Sequence, residues 1–278
     1  MYPFVIDLDD PAATDSALAG SKAASLAALS QAGFPVPPGF VVPTAVFRSA
    51  PHGEITPDVE AAIADAYSAL GRQALVAVRS SAAQDDGADA SVSGQFQTFL
   101  GVGGVTKIVR HIERCWQSIT GPRAQAYYHH AGIAADQVSM AVLVQLLVDA
   151  DATGVMVVPP TAEQGAEISI EASWGLGEAV VSGEISPDQY RVDATTEAVL
   201  ERQISTKHSA VRLGPKGTVA VALAAEQQTA PALSAAQVSA LVQLGKRVVA
   251  HSGAAQQIEW AVKDNQWWIL QVRPAAAQ

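Results

Sequence analysis

Hydrophobic and polar positions change period several times along the chain, and each change marks an element. Over residues 17–33 Ala24, Leu26, Leu29 and Ala32 fall on one helical stripe, and Gly33 stands where a helix end takes a left-handed residue. Pro35, Pro37 and Pro38 then fix an extended segment leading into a short buried strand at Phe40-Val41-Val42, with Thr44 placed to cap a short helix. A helical period returns over residues 57–71, with Ala61, Ile63, Ala66 and Leu70 towards the buried side. Residues 74–79 are a strand that ends at Arg79-Ser80-Ser81, and a small-residue acidic loop over 84–93 feeds a strand over 94–100. The clearest amphipathic helix runs over 105–119, where Val105, Ile108, Val109, Ile112, Cys115, Trp116 and Ile119 share a stripe. Pro122 opens another helix, carrying Arg123.

Residues 139–148, SMAVLVQLLV, form a strand buried on both faces, with Gln145 its only interior polar group. Strands follow over 154–158 and 166–172, then a glycine-bearing run, 173–184, that contains Glu178. A hairpin is expected over 189–204, a loop over 209–232, and a helix to residue 250 that starts in a Ser234/Gln237 capping box.

The last stretch, residues 256–274, reads QQIEWAVKDNQWWILQVRP, two apolar runs around a Lys-Asp-Asn-Gln turn. Strict alternation sets Ile258, Trp260 and Val262 on one face and Gln257, Glu259 and Ala261 on the other; on the return strand Trp267, Ile269, Gln271 and Arg273 share a face. A carboxylate, an amide and a guanidinium inside apolar strands either pair with one another or face a ligand. A carboxylate and an amide oxygen can hold Mg²⁺, and an arginine can hold a phosphate.

Composition narrows the classes. The 278 residues are enough for one large domain or two lobes, and 49% hydrophobic against 16% charged residues marks a globular chain. A net charge of −10 argues against nucleic acid and against a polybasic membrane surface. The single cysteine, Cys115, gives no disulfide framework and no zinc spacing. The first residues carry no signal-peptide pattern and no apolar stretch is long enough to span a bilayer, so a cytoplasmic location is expected. Gly20-Ser21-Lys22, at a helix start, puts a cation where anions bind.

Several separated segments agree in order and spacing: GSKAASLAALSQAGFPVPPGFVV, VAVRSSAAQDD with SVSGQFQTFLGV, CWQSITGPRAQAYY, VLVQLLVDADATGVM, ASWGLGEAVVSGEISPDQYRV and the closing QQIEWAVKDNQWWILQVRP. Across nearly its whole length the chain resembles the N-terminal ATP-binding domain of the phosphoenolpyruvate synthase, pyruvate phosphate dikinase and rifampicin phosphotransferase family. The resemblance implies an α/β ATP-grasp fold in which two lobes, here 1–135 and 136–278, clamp ATP. It implies that Lys22, Arg79 and Arg123 hold phosphates, that Gln145 lies on the adenine-reading segment with the backbone of Leu146 and Leu147, and that Glu178 stands on the nucleotide side. Glu259 and Gln271 look like the Mg²⁺ ligands, Arg273 would meet the transferring phosphate, and Gln257, where the family has an aspartate, is counted among the nucleotide-binding residues. Ser21 replaces a usual glycine. No segment resembling the family's swivelling phosphohistidine domain follows in this sequence. The implied activity is Mg·ATP-dependent phosphotransfer to a histidine on a separate protein; the alternatives are a small-molecule kinase of a secondary-metabolite pathway and a non-catalytic nucleotide sensor.

Overall fold

A computed structural model describes residues 3–50, 53–71, 73–82, 97–121, 138–160, 165–177, 186–214 and 217–275. It divides into two compact units, Met1–Leu147 and Val148–Gln278.

The first unit is built on five antiparallel strands in the order β1 (Ile6–Asp7), β2 (Gly39–Val42), β5 (Met140–Leu146), β3 (Val76–Ala82) and β4 (Thr98–Val102). The apolar run of β5 sits mid-sheet, between β2 and β3, so the first unit extends beyond residue 135 to Leu147. Alternation sorts its side chains. Met140, Val142 and Val144 join Val76 and Val78 in a core closed by α3 (Pro57–Leu70) and α4 (Val105–Gln117). Ala141, Leu143 and Gln145 lie opposite Ser81, Arg79 and Ala77 on the other face.

That second face meets α1 (Ser16–Gln31), whose Ala19, Ala23, Leu26, Ala27 and Leu29 are buried, while Ala32 is exposed. The expected Gly33 helix end is present: its φ is 79°, and Phe34 N–H donates to Leu29 O at 3.0 Å. The buried stripe of α3 is Val59, Ile63 and Tyr67, and Ala61 is exposed. Thr44 does not cap its helix. It lies inside α2 (Thr44–Ser49), and its hydroxyl donates to Ala17 O at 2.7 Å, tying α2 to α1.

The second unit carries six antiparallel strands in the order β13 (Gln266–Pro274), β12 (Gln256–Lys263), β6 (Ala152–Val158), β7 (Glu167–Trp174), β8 (Asp188–Asp193) and β9 (Val199–Gln203). Residues 209–232 are not a loop. They form a hairpin, β10 (Ser209–Gly214) and β11 (Gly217–Ala222), then the short α5 (Ala225–Gln228). The hairpin is largely surface, with Val219 46% exposed, so no core alternation marks it in the sequence. The long helix α6 (Ala235–Ser252) begins in the expected capping box, Gln237 N–H to Ser234 Oγ at 3.2 Å and Ser234 N–H to Gln237 Oε1 at 2.9 Å. Among the described residues no helix is long and apolar enough to cross a membrane.

One polar contact organises the second unit's interior. Lys207 and Asp188 are both fully buried and form an ion pair. The carboxylate also accepts Ser205 N–H at 3.0 Å and Ala232 N–H at 2.7 Å, and Lys207 Nζ donates to Ser205 O at 2.9 Å. Two connections separated in sequence, around residues 205–207 and at Ala232, are thereby pinned to the start of β8.

Candidate functional site

In the first unit the GSK stretch interrupts α1. Gly20 has φ 73° and ψ 161° inside the helix, and a Cβ there would fall 2.0 Å from Ser81 O. Only glycine lets the chain break against β3 and restart at Ser21. The restart is held by three bonds: Ser21 Oγ to Ala82 O at 3.0 Å, Ala23 N–H to Ser81 Oγ at 3.1 Å, and Lys22 Nζ to Ser80 O at 3.4 Å. Lys22 is therefore anchored beside the backbone that follows Arg79.

Arg79 does not end its strand. β3 runs on to Ala82 because its serines have partners: Ser80 Oγ donates to Gln97 O at 3.0 Å, and Ser81 Oγ takes the Ala23 amide. Arg79 is mid-strand, 9% exposed, on the face that Ser81 presents to α1. Gln145 shares this face, opposite Ala77, and its amide donates to Pro37 O at 3.2 Å. The Leu146 and Leu147 amides are committed to Pro38 O at 2.8 Å and Leu75 O at 2.9 Å. Lys22, Arg79 and Gln145 thus come together on one side of one sheet. Arg123 lies outside the described residues, as does Glu178 of the second unit. Cys115 is buried, and desolvation pushes its thiol up to about 12, as befits an inert core residue.

In the second unit the closing hairpin departs from strict alternation. Asp264 and Asn265 have φ of 49° and 61°, the two left-handed residues of a tight hairpin turn. Asp151 clamps that turn, accepting Lys263 Nζ and Asp264 N–H at 2.8 Å each. Burial raises the Asp151 carboxyl, but the bonds from Lys263 and the Asp264 amide outweigh it and hold the group below its ordinary value. From the turn, Lys263–Gln266, Val262–Trp267, Ala261–Trp268 and Trp260–Ile269 pair in register. The next step would set Glu259 against Leu270. A bulge between Glu259 and Trp260 absorbs Leu270, and Glu259 instead faces Gln271 while Gln257 faces Arg273.

The bulge corrects the expected face. Trp267 and Ile269 stay with Val262 and Trp260, and the Trp260 and Trp267 rings meet at 5.5 Å; Gln271 and Arg273 turn to the side of Glu259 and Gln257. Gly154 makes room for the Trp260 ring, since a Cβ there would fall 2.6 Å from Trp260 Cζ2. The four polar residues are half-buried, and Arg273 Nε donates to Gln257 Oε1 at 2.8 Å. Facing residues on one side of an antiparallel pair have Cβ atoms within about 5.5 Å, so the Glu259 and Gln271 oxygens can meet on one cation. Among the described residues no cluster of three or more His, Cys, Asp or Glu forms a cation cage. One carboxylate and one amide oxygen fit Mg²⁺, which keeps waters and takes phosphate oxygens, better than a metal bound wholly by protein.

No expectation read from the sequence involves Lys207, and the hairpin expected over 189–204 begins one residue after Asp188. An apolar-strand pattern gives no sign that two charges will pair in the interior. His208, next to Lys207, is exposed with Nδ1 3.2 Å from Gln228 Oε1, in keeping with a surface histidine.

The profile of the pyruvate phosphate dikinase AMP/ATP-binding domain matches residues 50–278. The chain belongs to this family. It is 34% identical to a probable phosphoenolpyruvate synthase of Methanothermobacter thermautotrophicus, over 99% of this chain and 46% of that protein. It is 35% identical to the prodigiosin synthesizing transferase PigC of Serratia marcescens, over 99% of this chain and 33% of the other. It is 34% identical to a rifampicin phosphotransferase of Streptomyces sviceus, over 98% and 36% respectively. The chain thus spans less than half the length of each of these relatives. Membership carries ATP binding with it.

Proposed function

We propose that this chain is the Mg·ATP-binding part of a phosphotransferase, with an ATP-grasp arrangement, that passes a phosphoryl group to a histidine on a partner protein. The observation that carries the reading is the bulged hairpin, which sets a carboxylate–amide pair beside an oriented arginine on one face. Phosphoryl transfer depends on charge neutralisation and alignment more than on covalent chemistry by the protein. Glu259 and Gln271 would hold Mg²⁺, which supplies charge neutralisation at phosphate oxygens. Arg273 would meet the transferring group. Lys22, Arg79 and Arg123 would hold phosphates, and Glu178 would stand on the nucleotide side. Gln145 braces the adenine-reading segment through Pro37. Because the Leu146 and Leu147 amides already donate within the unit, carbonyl oxygens there would do the reading.

The one carboxylate assembled from the described segments, Glu259, is assigned to the metal, so the acceptor would come from another molecule or segment. Transfer of label from ATP to an acid-labile phosphohistidine on a co-purified or co-expressed partner is the expected result. Label on a small molecule instead would make the protein a metabolite kinase, the reading that the name of the rifampicin phosphotransferase relative favours. Tight binding with neither transfer nor hydrolysis would leave a nucleotide sensor. ADP as product means transfer of the γ-phosphoryl group, whereas AMP with an equivalent of inorganic phosphate means transfer of the β-phosphoryl group.

Two further outcomes are expected. Mg·ATP at a hundredfold excess over its dissociation constant should stabilise the fold by about 2.7 kcal/mol, read as a rise in Tm; no rise at millimolar Mg·ATP would count against nucleotide binding. Glu259→Gln preserves shape but loses the charge, so half-saturation by Mg²⁺ should move up by at least about tenfold. An unchanged Mg²⁺ dependence would remove Glu259 from the metal.

A further inference from the structure

Two arginines occupy the same cross-strand row of the second unit's sheet and are treated in opposite ways. The row runs Arg273, Gln257, Val157, Ser169, Arg191, Glu201 across β13, β12, β6, β7, β8 and β9. Arg191 is bracketed by carboxylates. Its Nε and Nη2 meet Glu167 at 2.6 and 2.8 Å, and its Nη1 meets Glu201 at 2.8 Å. That guanidinium is neutralised by its neighbours. Arg273 faces an amide instead, and its Nε donates to Gln257 Oε1 at 2.8 Å. The carboxylate next along β12, Glu259, pairs in register with Gln271 rather than with Arg273. On its other side Gln257 is opposite Val157, which has no polar group to offer.

The geometry of a guanidinium gives this arrangement a consequence. A single acceptor on Nε fixes the plane of the group and directs the Nη1/Nη2 edge away from that acceptor. An aspartate or glutamate at 257 would anchor the plane too, but would cancel the charge and take a second N–H side-on. We propose that Gln257 is a positioning residue for Arg273: it orients the guanidinium for a phosphate-class anion while leaving its charge uncancelled, and is not itself a metal ligand. The inference rests on the Mg·ATP reading above and specifies how one arm of that site is tuned.

The test is calorimetric titration of Mg·ATP into the full chain and into Gln257→Asp, Gln257→Met, Arg273→Met and Gln257→Asp/Arg273→Met, with Mg²⁺ half-saturation measured at saturating nucleotide. Gln257→Asp should weaken Mg·ATP about tenfold by pairing with Arg273, and Gln257→Met should weaken it less, through lost orientation alone. In the Arg273→Met background Gln257→Asp should have no further effect, because the residue it acts through is gone. Mg²⁺ half-saturation should stay where it is in all three variants at 257 and 273 singly substituted. If Gln257→Asp does not fold, Gln257→Glu carries the same charge test from one methylene further out. Wild-type affinity in the folded acidic variant, an equal loss in the Arg273→Met background, or a shift confined to Mg²⁺ half-saturation would each overturn the inference. Failure of the wild-type protein to bind Mg·ATP would overturn the underlying reading and this inference with it, and is recognised because it needs no variant.

Discussion

In Arg79→Met, Mg·ATP-dependent turnover falls by about a hundredfold to a thousandfold, the range seen when one preorganised electrostatic donor is removed from a reaction site. The substitution has to be methionine rather than alanine. Arg79 is 9% exposed in the middle of β3, between Thr98 of β4 and Leu143 of β5, so truncation to alanine would open a void and mix a packing loss into the result. Methionine fills the stem and deletes the charge. Arg79→Lys should recover only part of the activity, since an ammonium lacks the planar fork that grips two phosphate oxygens at once. Far-UV circular dichroism unchanged, with turnover like the wild type, would show that this face of the first sheet does not serve the reaction.

Lys207→Met loses about 3–5 kcal/mol of stability, because Asp188 is left buried with its negative charge uncompensated. Its two backbone donors, the amides of Ser205 and Ala232, stabilise the carboxylate but do not neutralise it. Urea unfolding should show the midpoint falling with the slope unchanged, the signature of lost stability rather than of an altered unfolded state. Combining Lys207→Met with Asp188→Asn should recover part of the loss, since the amide removes the buried charge; the recovery is incomplete because Ser205 N–H donates to Oδ1 and Ala232 N–H to Oδ2, and a single carbonyl can accept only one of them. A shift of under about 1 kcal/mol in the single variant would mean that water reaches the pair, and the pinning of the 205–232 connections to β8 would have to be abandoned.

Several elements were legible because local pattern and tertiary demand coincide in them. The stripe of α4, the apolar run of β5, the Gly33 helix end and the Ser234/Gln237 box all express forces that act within a few residues. The same holds for the Asp-Asn turn, where a two-residue reversal needs left-handed backbone. The β10–β11 hairpin was not legible. It buries little, and a strand without a core face leaves no alternation to read. The extent of β3 was missed for a related reason: Ser80 and Ser81 look like a loop until Gln97 and Ala23 supply their partners.

Which residue types the candidate site uses was determined by the sequence alone, together with the motif order that gives family membership: a lysine after a glycine at a helix start, an arginine on an apolar strand, a carboxylate, an amide and an arginine in the closing hairpin. Which of them meet was decided by tertiary structure. Strict alternation would have left Gln271 and Arg273 with the buried Ile269. One extra residue, Leu270, is absorbed opposite the junction of Glu259 and Trp260, and because strand side chains alternate with a period of two, that single insertion moves everything beyond it to the other face. The Lys207–Asp188 pair has the same origin. Two charges 19 residues apart become a buried contact only because the connections that carry them converge on the start of β8, and long-range convergence leaves no trace in a local pattern of residues.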